Sequence, residues 1–133
     1  MKIRERQFPG TADSIPQTRE CLRQFLAPTR VPLVLQQDAE VILSELATNA
    51  VRHSRSGVKG GRYTVVLRLG ATHLIVAVTD AGATSIPHPR RPLSLEPGGR
   101  GLTIVQALAS NWWTSTTQSR CTVVAEFALR GTQ

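Results

Sequence analysis

Cysteine is scarce in this 133-residue chain: Cys21 and Cys121 stand a hundred residues apart, and neither has a second cysteine nearby. That excludes a Cys-x-x-Cys redox or zinc motif, and the pair reads as two buried free thiols. His53, His73 and His88 share no metal-ligand spacing with each other or with the cysteines, so no zinc site is expected. No apolar run approaches the roughly 20 residues that cross a bilayer. The start, Met1-Lys2-Ile3-Arg4-Glu5-Arg6, is charged and leads into no apolar stretch of signal-peptide type, which makes the cytoplasm the expected location. Acidic residues are also few, nine against sixteen Lys and Arg, for a net charge of +7. Such a balance raises the question of nucleic acid. The closest basic clusters are Arg4/Arg6, Arg52/Arg55 and Arg90/Arg91, none interleaved with stacking aromatics, and aromatics make up 5% of the chain. With no helix-turn-helix or finger pattern either, nucleic acid is not the expected partner.

What is present is an ordinary globular composition, 41% hydrophobic and 19% charged, at a length that suits one domain over 1–133. Lys2 to Phe8 reads as an edge strand despite its charge. Thr11, Asp13 and Ser14 offer N-cap chemistry, and Ile15, Cys21, Leu22, Phe25 and Leu26 recur at helical spacing up to Pro28. A longer helix is expected over Leu33 to His53. Its apolar stripe is Leu35, Ala39, Ile42, Leu46 and Ala50, widened by Val34, Val41 and Leu43. Tyr63, Val65, Leu67 and Leu69 alternate with Thr64, Val66 and Arg68, and Leu74 to Thr79 completes a hairpin. Asp80 to Arg100 is rich in Pro, Gly and Arg and reads as a long loop, of a length that is usually functional or disordered. A helix from Leu102 follows, then strands near Trp112 to Thr117 and Thr122 to Leu129. Trp112 and Trp113 should face opposite ways. The order implies an α+β sandwich with helices on one face of a mixed, mostly antiparallel sheet.

Four short constellations carry chemistry. Glu45 and Asn49 are four apart, so a helix presents both on one side, where a carboxylate can orient a hydroxyl and a carboxamide can join a magnesium shell. Taken alone, such a pair is usually a solvated helix surface. Asp80-Ala81-Gly82 ends an apolar strand: the aspartate can accept a hydrogen bond from an exocyclic amine, and Gly82 lets backbone approach a base. An Asp-x-Gly turn is the plainer reading of those three residues. Gly98-Gly99-Arg100-Gly101-Leu102 runs straight into a helix, whose exposed amides and dipole favour phosphate. It is neither a Walker loop nor a Rossmann fingerprint. Thr122 lies early in the last strand, where a β-branched residue needs no special reason.

In this order and spacing the motifs resemble those of the GHKL family, the ATPase domains of gyrase, Hsp90, histidine kinases and MutL. Within it, the chain is most similar to the small bacterial anti-sigma-factor serine/threonine kinases and stand-alone ATP-binding regulators. Leu43 to Ser54 (LSELATNAVRHS) resembles the N box, and Val78 to Gly82 (VTDAG) the first glycine box. Gly98 to Trp112 (GGRGLTIVQALASNW) resembles the second glycine box, and Cys121 to Phe127 (CTVVAEF) the final strand. The resemblance spans essentially the whole chain and implies a Bergerat-type two-layer α/β sandwich that binds ATP with Mg²⁺. Carried over, it makes Asn49 the Mg²⁺ ligand, Glu45 the general base, and Asp80 with Gly82 the adenine reader. Gly99, Arg100, Gly101 and Leu102 would hold the phosphates, Thr122 would sit near the base through water, and 83–97 would be the ATP lid. Ala83 stands where the family's first box often has a second glycine.

The function implied is a protein serine/threonine kinase that phosphorylates a small antagonist protein and sequesters a sigma factor, acting as a homodimer. The alternative is an ATP-binding regulatory module that catalyses no transfer. Both need the same site, and phosphate transfer to a partner separates them. A nucleic-acid-binding protein is the distant third, with steep salt dependence as its mark.

Overall fold

The computed structural model describes residues 1–53, 60–80, 108–117 and 120–129. In chain order these form strand β1 (Lys2–Pro9), a 3₁₀ turn (Ala12–Ser14), helices α1 (Ile15–Leu26) and α2 (Leu33–His53), hairpin strands β2 (Arg62–Leu69) and β3 (His73–Asp80), and strands β4 (Asn111–Thr117) and β5 (Arg120–Ala128). The sheet runs β1-β2-β3-β5-β4, and every one of these pairings is antiparallel. Both helices lie on one face, giving the two-layer α+β sandwich. The helix expected from Leu102 lies outside the described residues.

Strand periodicity separates the two faces of the sheet. Tyr63, Val65 and Leu67 on β2, Leu74, Val76 and Val78 on β3, and Cys121, Val123, Ala125 and Phe127 on β5 are buried under the helices. Against them α1 sets Cys21, Leu22, Phe25 and Leu26, and α2 sets Ala39, Ile42, Leu43, Leu46, Ala47 and Ala50. Burying each of the larger aliphatic side chains contributes about 1.5–3 kcal/mol. Val34 and Val41, expected to widen the α2 stripe, are instead 69% and 43% exposed. At about 100° per residue both fall opposite the line through Ala39, Leu43 and Ala50, and Ala47 fills the core position beside that line.

Chain breaks fall where local chemistry puts them. After Leu26, Pro28 ends α1, and the amide and hydroxyl of Thr29 both donate to the Leu26 carbonyl at 2.9 and 2.6 Å. The Pro32 carbonyl accepts from the Gln36 amide at 3.0 Å to open α2. At the start of α1, Ser14 makes no side-chain cap bond. Its hydroxyl instead donates to the Thr11 carbonyl at 2.8 Å and so accepts from the Tyr63 phenol. This ties the helix start to β2.

The basic edge strand also has a physical reason. Lys2 and Arg4 lie over the Phe25 ring, 4.8 and 5.8 Å from its centroid, and Arg6 lies 5.1 Å from that of Phe8. The cationic heads themselves thus rest against aromatic faces. The Lys2 ammonium also donates to the Phe25 carbonyl at 2.6 Å. The charge therefore suits an edge that must not pair with another chain.

Burial pushes the Tyr63 phenol above its ordinary value. The unfolded phenol ionises near pH 10. The buried neutral form therefore contributes its full stability below that pH and loses it as pH climbs through the folded value. Tyr63→Phe should cost about 1–2 kcal/mol at pH 7 through the lost bond. It should also flatten the fall in urea midpoint as pH rises above about 10, which denaturation curves on either side of that pH would show.

Candidate functional site

The site is built on α2 and the end of β3. Glu40 is gripped by Arg23 of α1 through two bonds of 2.9 and 3.1 Å, and Ser44 accepts from Arg19 at 3.2 Å. These contacts identify the flank of α2 that meets α1. Asn49 is nine residues past Glu40, about half a turn round at 100° per residue, so it lies on the opposite flank. Glu45 is one turn before it on the same side, and both are half-buried. Order in the sheet says what lies below: α1 sits towards β1 and β2, while α2 crosses β3 with contacts to β5. The flank carrying Asn49 therefore faces the β5–β4 half of the sheet.

Asp80, the last residue of β3, continues the helix-facing series Leu74, Val76, Val78 and is 3% exposed. A carboxylate at such depth is costly unless a donor meets it. Its acceptor-only oxygens suit an exocyclic amine. Hydrophobic packing thus sets a helix flank with a carboxylate and a carboxamide on the same side of the sheet as a buried acceptor. The donor set fits magnesium nucleotide: one carboxamide oxygen suits a cation that keeps waters and phosphate oxygens as its other ligands.

Thr122 stands apart from this group. Its hydroxyl is 2.8 Å from that of Thr79, its register partner, on the sheet face turned away from the helices. The residue paired with Asp80 is Cys121, buried on the helix-facing side. Sequence reasoning took Cys121 for a bare core thiol, and the signal that could have found it is strand parity counted back from Phe127. Thr122→Val should leave nucleotide affinity within about twofold, whereas Cys121→Leu should weaken it, since added bulk beside Asp80 forces a shift. Calorimetric titration with ATP checks both. Gly82, Gly99, Arg100, Gly101, Leu102 and the expected lid at 83–97 lie outside the described residues.

On the other side of Glu45 an open groove of about 340 Å³ runs between the helices, lined by Arg19, Gln37, Glu40, Val41, Ser44 and Glu45. Glu45 therefore stands between the Asn49 flank and a solvent-facing groove. No described helix is long and apolar enough to cross a membrane.

The family model described as histidine kinase-like ATPase domain matches residues 8–125. Among solved structures, the RsbU and RsbW domains of Rv1364c from Mycobacterium tuberculosis are similar in fold, with a TM-score of 0.72 at 20% identity. The likeness covers 96% of this chain and 32% of that one, so the chain spans about a third of its length. No curated protein sequence matches the chain.

Proposed function

The chain belongs to the histidine kinase-like ATPase domain family, and from that premise we propose that it is an ATP- and Mg²⁺-dependent regulator of the anti-sigma type, a protein serine/threonine kinase acting on a small antagonist protein. The observation that carries this reading is the placement of Glu45. It lies on the Asn49 flank of α2 and also lines the groove towards α1. A residue so placed can reach from bound nucleotide to a hydroxyl presented by a second protein.

Bound there, ATP with Mg²⁺ supplies the γ-phosphoryl group and the charge that neutralises it. Asn49 offers its carboxamide oxygen to the cation, and Asp80 accepts from the adenine amine, fixing the base. In this reading Gly82 would pack beneath the base, and Gly99, Arg100, Gly101 and Leu102 would hold phosphate, under a lid at 83–97. Glu45 takes the proton of the attacking hydroxyl. Most of the acceleration then comes from holding the reactants in line, as expected for phosphoryl transfer. The acceptor protein docks along the groove, where Arg19 presents a cation and the exposed Val41 presents apolar surface. A sigma factor is the second protein partner in this reading, and the cytoplasm is where it meets the chain.

The test is titration of the protein with ATP and Mg²⁺, followed by a search for transferred phosphate on a candidate antagonist. Asn49→Ala should weaken Mg²⁺-dependent binding roughly tenfold or more, the scale of one lost charge-assisted contact. Binding without transfer to any partner would reduce the protein to a nucleotide-gated module. Absence of binding in folded protein would end the reading altogether.

A further inference from the structure

We propose that the outer edge of β4 takes up an extended segment of a partner protein as a further antiparallel strand. The segment is β-branched at its centre, acidic where it passes Thr117 and basic where it passes Asn111. The two edges of the sheet, β1 and β4, are built differently. β1 carries Lys2, Arg4 and Arg6, a device that keeps a further strand off an edge. β4 reads Asn-Trp-Trp-Thr-Ser-Thr-Thr, with no charge and no proline, and every residue but Trp112 is exposed. Aromatic and β-branched residues of this kind favour strand pairing. Among the described residues no strand lies on its outer side.

Backbone alternation determines what that edge offers. The Gly70 amide donates to the His73 carbonyl at 3.0 Å, closing the β2–β3 hairpin. Counted in twos from there, Ile75, Ala77 and Thr79 direct their amides and carbonyls at β2, and Leu74, Val76, Val78 and Asp80 direct theirs at β5. The register partners of this second set point back at β3. Arg120, Thr122, Val124 and Glu126 therefore turn to β4, towards Thr117, Ser115, Trp113 and Asn111. The amides and carbonyls of Trp112, Thr114 and Thr116 are left pointing outward. In agreement, the Trp112 amide donates to Oδ1 of Asn111 at 2.9 Å. Thr114 and Thr116, both exposed, hold a donor and an acceptor each towards solvent.

Neighbouring side chains say what the segment is. On the face turned away from the helices Trp113 is 40% exposed, and it offers an aromatic surface to a β-branched cross-strand neighbour. Opposite charges stand behind the two ends of β4: Glu126 is the register partner of Asn111, and Arg120 that of Thr117. Asn111 and Thr117 are short. A long basic side chain passing the first and an acidic one passing the second can therefore meet Glu126 and Arg120 across two strand spacings, about 10 Å. A run antiparallel to β4 continues the pattern of the sheet and puts the acidic residue first. Main-chain bonds then supply affinity, while Trp113 and the two charges supply specificity. The edge shares no residue with the group of Glu45, Asn49 and Asp80, so the inference does not rest on nucleotide binding.

The probe is a labelled peptide, Glu-Thr-Thr-Val-Val-Thr-Lys, capped at both ends and followed by fluorescence anisotropy. Its second, fourth and sixth residues lie opposite Thr116, Thr114 and Trp112 and bond with them. N-methylation at those three should weaken binding roughly tenfold or more, whereas N-methylation at the third and fifth should leave it within about twofold. Thr114→Pro removes an outward amide alone, so circular dichroism and ATP affinity should hold while peptide binding falls by the same factor. The methylated pair reads the same contact on the unaltered protein. Glu126→Lys should weaken the peptide several-fold, and glutamate in place of the peptide's last lysine should restore it. No saturable binding to the wild type, equal losses from the two methylation patterns, or a charge exchange that restores nothing would each overturn the proposal. So would a second copy on the edge, seen as self-association of the wild type that Thr114→Pro abolishes.

Discussion

Asp80→Asn should weaken ATP binding roughly 10- to 100-fold while leaving the protein folded, on the scale of a lost hydrogen bond to a buried charged acceptor. The substitution keeps size and shape, and the site is the end of a strand whose core partners, Val76, Val78 and Val123, are untouched. What changes is the chemistry offered to the base: a charged, acceptor-only group becomes a neutral amide with two donors of its own. Those donors would face the exocyclic amine unless the amide turned. Affinity for GTP should change far less, because an amino group at that position is what the carboxylate is built to accept. Parallel titrations with ATP and GTP, alongside circular dichroism, separate loss of recognition from loss of fold. Equal loss of both nucleotides would mean that Asp80 supports the site's shape rather than reading the base.

The helical half of this architecture is legible in the sequence because its signals are local. Pro28 and Pro32 bracket the turn between α1 and α2, and the stripe through Ala39, Ile42, Leu46 and Ala50 is complete within one element. Glu45 and Asn49 then share a side as a matter of helix geometry. Periodicity gives less help where apolar residues lie on both sides. Val34 and Val41 look like core in one dimension, and only the position of the sheet shows that they face out.

Strand residues are harder, since a register shift of one moves every side chain to the other face. That is why Thr122 could be set beside Asp80 in sequence, while the pairing puts Cys121 there and gives Thr122 to Thr79. The basic edge strand shows the same limit from another side. Lys2, Arg4 and Arg6 speak against a strand until Phe25 and Phe8 are found beneath them. A contact between β1 and α1, more than twenty residues apart for Lys2 and Phe25, leaves no local trace.

Removing the carboxylate at position 45 should have the largest effect on turnover and almost none on binding. Glu45→Gln keeps the size and shape of a half-buried side chain, so the fold and ATP affinity should stay within about twofold. Transfer to a protein hydroxyl should fall by about 10² to 10⁴, the range for loss of a general base. The split between the two quantities is the informative part. A residue that only shaped the groove would raise the concentration of acceptor protein needed, leaving the rate at saturation alone. A base lowers the saturated rate and leaves acceptor affinity in place. Single-turnover transfer from labelled ATP, with the acceptor in excess, reads that rate directly, and Arg19→Ala provides the opposite pattern for comparison. Because Arg19 lines the groove but reaches α2 through Ser44, its loss should raise the acceptor concentration required and spare the saturated rate. Transfer at an undiminished saturated rate in Glu45→Gln would place the proton acceptor elsewhere and leave α2 as a nucleotide-binding helix alone.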